Sequence, residues 1–300
     1  MPRCEGDYLV TTLGSNTIDA TKGDFRSPFR FLIGDNSFVE TGLANRVAIV
    51  AASSEGIGRA AAFAFAAEGA HLALCARSRE NLQRTAAVIR ERFPVRVHAE
   101  TLDVRNSDAV EEFVRNVDGE LGRIDVCVTN AGGPPAKWFL ETTDEDWDNA
   151  FFLNLRSTAA FARAVIPYMQ RRRWGRIVTI SSITVRQPQP QLVLSNAVRA
   201  GVMGLVRSLA NEFGKDGILV NNVAPGYTAT ERLKELSARR AAASGQTEEA
   251  IERTWIEQIP LARLGRPEEL ADAVIWLASE RASFITGQTI LVDGGMYKGL

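Results

Sequence analysis

The chain has 300 residues, of which 45% are hydrophobic and 24% charged, and its formal net charge is −1 at pH 7. This near-neutral balance gives no electrostatic case for binding nucleic acid or an anionic membrane surface. No apolar run reaches the roughly 18–20 residues of a membrane span, and no basic-then-apolar leader opens the chain. Because three cysteines are too few for a disulfide framework, we expect a soluble, cytoplasmic protein.

The chain divides into an N-terminal extension and one regular domain. Residues 1–41 follow no helix or strand period, which predicts an irregular extension. Over residues 42–300, apolar runs alternate with amphipathic segments, as expected of a single domain. Strands are predicted at 47–51, 71–76, 95–102, 124–128, 176–181, 218–224 and 289–292. Helices are predicted at 57–68, 79–93, 107–120, 144–172, 195–214, 230–256 and 267–279.

The predicted strands are almost continuously apolar, which is typical of parallel strands covered on both faces. Their alternation with helices implies right-handed crossover connections. The sequence therefore predicts an α/β fold, a doubly wound and mostly parallel Rossmann sheet of about seven strands with helices on both faces. Residues 229–262 form a helical insert that we expect to act as a lid.

A phosphate-binding turn is predicted directly after the first strand. The chain there reads Ala-Ala-Ser-Ser-Glu-Gly-Ile-Gly over 51–58 and continues into an Ala-rich helix. Glycines let the backbone approach a pyrophosphate, and a helix N-terminus offers it unpaired N–H groups and partial positive charge. A turn used only for packing is the alternative. The candidate cofactor-binding residues here are Ala52, Ser54, Gly56, Ile57 and Gly58.

The loop after the second strand bears on cofactor choice. An acidic residue there would bind the ribose 2′-hydroxyl of NAD, whereas an arginine can pair with a 2′-phosphate. The chain has Ala76 followed by Arg77, which favours NADP (NADPH) over NAD. An ordinary solvated arginine is the alternative.

Further candidate residues follow the later strands. Asp103 and Val104 come after the third strand, Asn130-Ala131-Gly132 after the fourth, and a Pro-Gly motif over 225–230 after the sixth. Open α/β sheets bind ligands at the carboxyl ends of their strands. We therefore expect these residues to lie beside the phosphate-binding turn.

In this order, the motifs resemble those of the short-chain dehydrogenase/reductase family, and most generally its 3-oxoacyl-thioester reductase-like members. The family's G-x-x-x-G-x-G turn corresponds to 52–58, with Ala52 in place of the first glycine. The resemblance runs over about residues 44–296 and includes the carboxyl-terminal signature at 286–295. Glu55 is a mild signal against NADP, since NADP-preferring members often have a basic residue near that position. The resemblance implies cofactor contacts for Asp103, Val104, Asn130, Ala131, Gly132, Arg199, Pro225, Gly226 and Thr228.

The catalytic residues depart from the family's pattern. The family usually uses an Asn, a Ser and a Tyr-x-x-x-Lys helix segment, in which the Lys lowers the pKa of the Tyr that donates the proton. Asn154 and Ser182 match the first two. The thirteen-residue step from Ser182 places Ser195 in the Tyr position and Arg199 in the Lys position.

The usual acid is therefore missing or replaced, because a serine hydroxyl is a poor acid and an arginine does not readily give up its proton. Arg199 polarising a carbonyl, Ser182 acting through a water, and Tyr227 reaching in from the Pro-Gly motif are the three alternatives. His71 and His98 fall at strand starts, so we expect structural roles for them. No ligand spacing suggests a metal site.

Two functions remain open on this sequence. One is an NADP-dependent oxidoreductase that transfers hydride between the nicotinamide and a carbonyl or alcohol substrate, possibly a 3-oxoacyl thioester, with an altered proton donor. An acidic carrier of that substrate could meet Lys234, Arg239 and Arg240, although a solvated helix face is the simpler interpretation. The alternative is a non-catalytic NADP-binding protein. The predicted helices 144–172 and 195–214 are apolar on more than one side, which predicts a homotetramer or homodimer.

Overall fold

The computed structural model describes residues 40–299. The predicted N-terminal extension therefore lies almost entirely outside the described residues. Seven parallel strands form one sheet in the order β3-β2-β1-β4-β5-β6-β7. Their bounds are β1 Val47–Ala51, β2 His71–Ala76, β3 Val97–Thr101, β4 Val126–Thr129, β5 Gly175–Ile180, β6 Ile218–Pro225 and β7 Thr289–Val292. The prediction of about seven strands in a mostly parallel sheet is confirmed.

Helices cover both faces of this sheet, as predicted for a doubly wound fold. They are α1 Gly56–Ala67, α2 Arg79–Arg92, α3 Ser107–Leu121, α4 Asp144–Ala150, α5 Ser157–Arg172, α6 Val193–Phe213, α7 Glu231–Ser244, α8 Glu248–Ile256 and α9 Pro267–Ala278. One face packs its core against α1, α2 and α9, and the other packs against α3, α5 and α6. Every residue of β1 is buried, as expected for the centre of a sheet covered on both sides.

The predicted helix 144–172 is wrong in one respect, because it is interrupted. Residues Phe151–Arg156 form a π-helical turn between α4 and α5. Two hydroxyls bond to carbonyls of this turn: Ser157 Oγ donates to Leu153 O at 2.5 Å and Thr158 Oγ1 to Asn154 O at 2.9 Å. A wide turn of this kind rotates the following helix relative to the preceding one.

The predicted helix 230–256 is likewise two helices. Gly245 ends α7 with a φ of +69°, a left-handed conformation that favours glycine. Thr247 then starts α8, with its side chain accepting a hydrogen bond from Ala250 N at 3.2 Å. The remaining helix and strand bounds differ from the predicted ones by a few residues at most.

A charged cluster lies at the amino-terminal edge of the sheet. The fully buried carboxylate of Asp125 accepts hydrogen bonds from Val47 N at 2.8 Å and from Arg123 Nε at 2.7 Å. Two guanidinium groups lie over the Trp174 ring, with Cζ of Arg46 3.5 Å and Cζ of Arg176 4.2 Å from its centroid. Burial lowers the pKa of Arg176 to about 10. The cluster links the starts of β1, β4 and β5, and its residues lie away from the opposite edge of the sheet.

The two cysteines of the described chain are core residues. Cys75 and Cys127 are both fully buried and unpaired. Burial raises the pKa of Cys75 to about 12 and also raises that of Cys127, so neither is a reactive thiolate at neutral pH. Of the helices within residues 40–299, none has the length and apolar character to cross a bilayer.

Candidate cofactor and active site

One cleft of about 640 Å³ runs along the carboxyl ends of the central strands. It collects most of the residues that the sequence marks as candidate site residues, drawn from the ends of six strands, β1 to β6, and from α6. Those in its lining are Ala52, Ser54, Gly56, Ile57, Arg77, Val104, Asn130, Ala131, Gly132, Ser182, Ser195, Arg199, Pro225, Gly226 and Thr228. Three predicted residues, Gly58, Asp103 and Asn154, lie next to the cleft instead.

The phosphate-binding turn has the strained backbone that its sequence implies. Ala52 has a φ of +50° and Gly56 of +55°. The left-handed region costs an alanine about 1–2 kcal/mol, which explains why a glycine is usual at position 52. Gly58 serves packing, because a Cβ there would lie 2.2 Å from Ala52 O.

The N-terminus of α1 is open toward this cleft. Glu55 precedes the helix but makes no side-chain capping hydrogen bond to it. Its carboxylate instead accepts a hydrogen bond from Asn81 Nδ2. The first N–H groups of α1 therefore have no side-chain cap and face the cleft, where they can bind an anion such as a pyrophosphate.

Beyond β2 and β3, one arginine is exposed to the cleft and one nearby carboxylate is already hydrogen-bonded. Arg77 is exposed and lines the cleft. The Asp103 carboxylate is bound by Arg105, with 2.7 Å between Oδ2 and Nη2. This hydrogen bond, aided by the charge of Arg77, lowers the pKa of Asp103. The Arg77 guanidinium is thus available to an anionic ligand, whereas the Asp103 carboxylate is already paired.

Arg199 is a buried cation at the centre of the site. It extends from α6, with Nη1 donating to Ile180 O at 3.4 Å and Nη2 to Gly132 O at 3.2 Å. Burial, and then the charge of Arg232, lowers the pKa of Arg199 to about 10. The guanidinium therefore keeps its positive charge at neutral pH.

Asn154 lies under the same loop. The π-helical turn places its Nδ2 to donate to Gly132 O at 3.0 Å, so this carbonyl accepts from Asn154 and Arg199 together. Asn154 Oδ1 is buried and has no hydrogen-bond partner. A buried unpartnered acceptor is costly, and in this position it marks a place where a donor would be bound.

The two serines differ in what they can offer a substrate. Ser182 Oγ accepts a hydrogen bond from Thr184 N at 3.2 Å, which leaves its own proton free to be donated into the cleft. Ser195 Oγ lies 3.1 Å from Thr184 Oγ1, and both hydroxyls are buried. The Ser195 hydroxyl is therefore already hydrogen-bonded to Thr184. The Ser182 hydroxyl is held in place by Thr184 N and can still donate a hydrogen bond of its own.

A phenol also lines this part of the cleft. Tyr227 donates its hydroxyl proton to Gln189 Oε1 at 3.3 Å. Its ring stacks on Trp255 with centroids 5.0 Å apart. Burial raises the pKa of Tyr227, with Arg240 acting in the opposite direction.

Gln189 and Arg232 are among the residues of the cleft lining that sequence reasoning missed. Arg232 Nη2 donates to Pro134 O at 2.7 Å. Its position two residues after the Pro-Gly motif is a signal that could have found it. Gln189 lies in an irregular loop that carries no such signal.

The histidines lie away from the cleft, as predicted. His71 Nδ1 accepts a hydrogen bond from Arg96 N at 3.2 Å, and His98 Nδ1 lies 2.9 Å from Glu120 Oε2. Both belong to the amino-terminal halves of their strands. Across residues 40–299, no cluster of three His, Cys, Asp or Glu side chains is arranged to bind a metal ion.

A family model described as enoyl-(acyl carrier protein) reductase matches residues 51–297. The chain belongs to the short-chain dehydrogenase/reductase family. It is 34% identical over 259 residues to the 3-oxoacyl-[acyl-carrier-protein] reductase of Aquifex aeolicus, covering 86% of this chain and 100% of that protein. It is 37% identical over 254 residues to the monensin polyketide synthase putative ketoacyl reductase of Streptomyces virginiae, covering 84% and 97%.

Solved structures of reductases and oxidoreductases are also similar to this chain. L-sorbose reductase from Gluconobacter frateurii, complexed with NADPH and L-sorbose, superposes with a TM-score of 0.83 at 34% identity, covering 87% of this chain and 100% of that one. An NADPH-bound short-chain oxidoreductase from Pseudomonas aeruginosa PAO1, described as containing an atypical catalytic center, has a TM-score of 0.78 at 35% identity, covering 86% and 99%. The chain is thus an NAD(P)-dependent oxidoreductase of this family.

Proposed function

We propose that this protein is an NADPH-dependent reductase of a small carbonyl substrate, in which a cation and a proton donor other than the Tyr-Lys pair support hydride transfer. The observation that carries the proposal is Arg199, a buried guanidinium held by Gly132 O and Ile180 O in the same cleft as Ser182. The relatives' reductase names support it, as does the oxidoreductase with an atypical catalytic center.

The residues present fit a nicotinamide dinucleotide. The uncapped N-terminus of α1 would hold the pyrophosphate, and Arg77 would pair with a 2′-phosphate. Asn130, Ala131, Gly132, Pro225, Gly226 and Thr228 would line the nicotinamide end. When bound, NADPH supplies the hydride that adds to the carbonyl carbon, and a proton must reach the oxygen to complete the alcohol.

The chain's own part is to stabilise the charge that develops on that oxygen. Ser182 Oγ would donate a hydrogen bond to the carbonyl oxygen, and the buried positive charge of Arg199 lies in the lining of the same cleft. Removing one such oriented donor typically costs about 10²–10³ in rate. Both groups are fixed before substrate arrives, so little reorganisation is needed.

We propose Tyr227 as the proton source. Ser195, in the position of the usual tyrosine, is bonded to Thr184, whereas Tyr227 is the tyrosine of the described cleft lining. Its hydroxyl already donates to Gln189 Oε1 and would redirect that proton to a developing alkoxide. This assignment selects one of the three alternatives left by the sequence.

The relatives also bear on the substrate class. A 3-oxoacyl thioester is one substrate class, supported by the acyl-carrier reductases among the relatives. Lys234 and Arg239 are exposed on α7, where a carrier could meet them. Arg240 does not join them: it is half-buried, and its Nη2 donates to Pro190 O at 3.2 Å.

We propose that α7 and α8 form the lid of a single domain over 42–300, and that the protein is a homodimer or homotetramer.

The test is NADPH oxidation against a panel of ketones and 3-oxoacyl thioesters, with cofactor binding measured in parallel by calorimetry. Turnover of at least one carbonyl, abolished by Arg199→Ala with the fold intact, is the expected result. Saturable NADPH binding without turnover on any substrate would instead favour the non-catalytic alternative.

A further inference from the structure

A second arginine, Arg232, lines the same cleft as Arg199 and bonds to the same loop. Arg232 is the second residue of α7, and its Nη2 reaches the Pro134 carbonyl on the loop after β4. Arg199 reaches the Gly132 carbonyl of the same loop from α6. Two residues of one loop therefore accept hydrogen bonds from guanidinium groups that come from two different helices. The two cations are close enough for Arg232 to contribute to the lowered pKa of Arg199.

The positive charge of this pair is not balanced inside the cleft. The acidic residues of the described cleft lining are Glu55 and Glu231. Glu55 is bonded to Asn81 at the phosphate-binding turn, and Glu231 pairs with Lys234 at 3.0 Å. Arg232 has an outward ion pair with Glu235 at 3.3 Å, but that carboxylate is 60% exposed.

Arg199 has only backbone partners among its hydrogen bonds in the described part of the chain. Its two bonds use two of the five N–H donors of a guanidinium. The Arg199 side chain is buried and that of Arg232 is 37% exposed, so solvent screens the repulsion between the two charges only in part. A bound anion between them removes this cost and uses the free donors of both.

We propose that the substrate carries a carboxylate near its reacting carbonyl, and that Arg232 is the residue that recognises it. This inference rests on the proposed reductase function, and within small carbonyl substrates it selects oxo acids instead of 3-oxoacyl thioesters. The planar guanidinium suits a carboxylate, which it can bind through two parallel hydrogen bonds. Arg199, deeper in the site, remains beside the carbonyl oxygen.

The cofactor's own anions are the competing ligands. Its 2′-phosphate and pyrophosphate are assigned to Arg77 and to the N-terminus of α1, toward the other end of the cleft. The Thr230 side chain lies over Gly56, however, with its Cγ2 3.4 Å from a Cβ built there. Arg232 follows two residues later. The experiment therefore has to distinguish binding of a substrate carboxylate by Arg232 from binding of the cofactor pyrophosphate.

The experiment compares 3-oxobutanoate with its methyl ester, a matched pair that differs in the carboxylate charge. Steady-state kinetics are measured for the parent protein, Arg232→Gln, Arg232→Lys and the control Arg253→Gln. Arg253 has the same charge on the neighbouring helix α8 but is exposed and outside the cleft lining. We expect the parent to prefer the acid, and Arg232→Gln to reduce kcat/KM at least tenfold for the acid and less than twofold for the ester. Arg232→Lys should restore part of the preference.

A binding measurement keeps the proposal testable if no substrate turns over. Butanoate and butanamide are titrated by calorimetry into the protein saturated with NADP⁺. Butanoate should bind more tightly, and Arg232→Gln should remove the difference without changing the affinity for NADP⁺. Such a result without turnover would support the carboxylate site while the reductase function fails. Equal binding of the two probes, equal loss for acid and ester, or weaker NADP⁺ binding in Arg232→Gln would each overturn the inference.

Discussion

At the level of single residues, the site keeps a fixed positive charge but lacks the usual acid. Arg199 is held between two carbonyls and stays protonated well above neutral pH. The Ser182 hydroxyl is free to donate a hydrogen bond, and Asn154 carries a buried acceptor without a partner. In the proposed function these three side chains supply charge and orientation, and the transferred proton comes from another group.

Substituting the groups that stabilise the oxyanion should reduce the rate of reduction. We expect Ser182→Ala and Arg199→Ala each to lower kcat by about 10²–10³, since each removes one oriented donor. Arg199→Ala should also weaken cofactor binding, whereas Ser182→Ala should not. Single-turnover kinetics and calorimetry measure the two effects separately. Ser195→Ala, which removes a hydroxyl bonded to Thr184, is the matched control, and unchanged rates in the first two variants would place the chemistry elsewhere.

The pH dependence should report Tyr227 and Arg199. Burial raises the pKa of Tyr227 above its usual value of about 10, and that of Arg199 is about 10. Both groups therefore keep their protons up to about pH 9, and activity should fall only as pH rises beyond that. We expect kcat/KM from pH 6 to 10.5 to show no inflection near neutrality. Tyr227→Phe should lower kcat by at least tenfold, and an unchanged kcat would remove Tyr227 as the proton source.

The site residues differ in how well sequence reveals them. Ser182 and Arg199 were predictable because Ser182 follows directly from the end of β5, and a thirteen-residue step from it to Ser195 fixes the position of Arg199 one turn further along α6. Tyr227 was only one of three alternatives, because the sequence does not show whether its side chain points into the cleft. Gln189 and Arg232 reach the cleft from an irregular loop and a helix start, and those positions depend on tertiary packing.

At the level of elements, cofactor binding depends on the turn before α1 and the loop after β2. The helix presents N–H groups without a side-chain cap, and the loop presents Arg77 beside an acid that is already paired with Arg105. Sequence located both, because each follows directly from a strand end. The interruption of the predicted helix 144–172 could not be seen, since its residues are compatible with a continuous helix and only packing selects the π-helical turn.

Arg77 should set the cofactor preference. We expect tighter binding of NADPH than of NADH, and Arg77→Ala should weaken NADPH binding by about 1.5–3 kcal/mol through loss of a charge-assisted pair. NADH affinity should change little in the same variant. Calorimetric titration of both cofactors into both proteins measures this. Arg79→Ala is the control, as an exposed arginine outside the cleft lining, and equal affinities in the parent protein would contradict the prediction.

The helix α6 allows the usual acid to be rebuilt. Positions 195 and 199 are one turn apart on the same face, and both line the cleft. Ser195→Tyr combined with Arg199→Lys should raise the reduction rate and introduce an inflection in the pH profile below 9. Stopped-flow NADPH oxidation measures the gain. Activity that stays at the parent level, with NADPH still bound, would show that the surrounding residues do not admit a phenol there.

At the level of the whole molecule, exposed apolar side chains suggest assembly. Trp138, Phe139, Leu140 and Phe151 are 44–93% exposed around α4, and Trp276 and Phe284 are exposed near β7. Apolar patches of this kind are typical of interaction surfaces. The oligomer is still a prediction. Light scattering at micromolar concentration should give a dimer or tetramer mass, and Leu140→Glu should lower that mass if the patch around α4 forms an interface. A monomer in the parent protein would refute it.

The separation between the two edges of the sheet makes the scaffold tolerant of change at the site. Arg176 begins the charged cluster, and Ile180, whose carbonyl holds Arg199, lies four residues along the same strand, a distance of about 13 Å. Substitutions that far apart without shared partners usually have additive effects on stability, within about 0.5 kcal/mol. Substitutions at the carboxyl-terminal edge, where the cleft lies, should therefore leave the stabilising contacts at the amino-terminal edge unchanged.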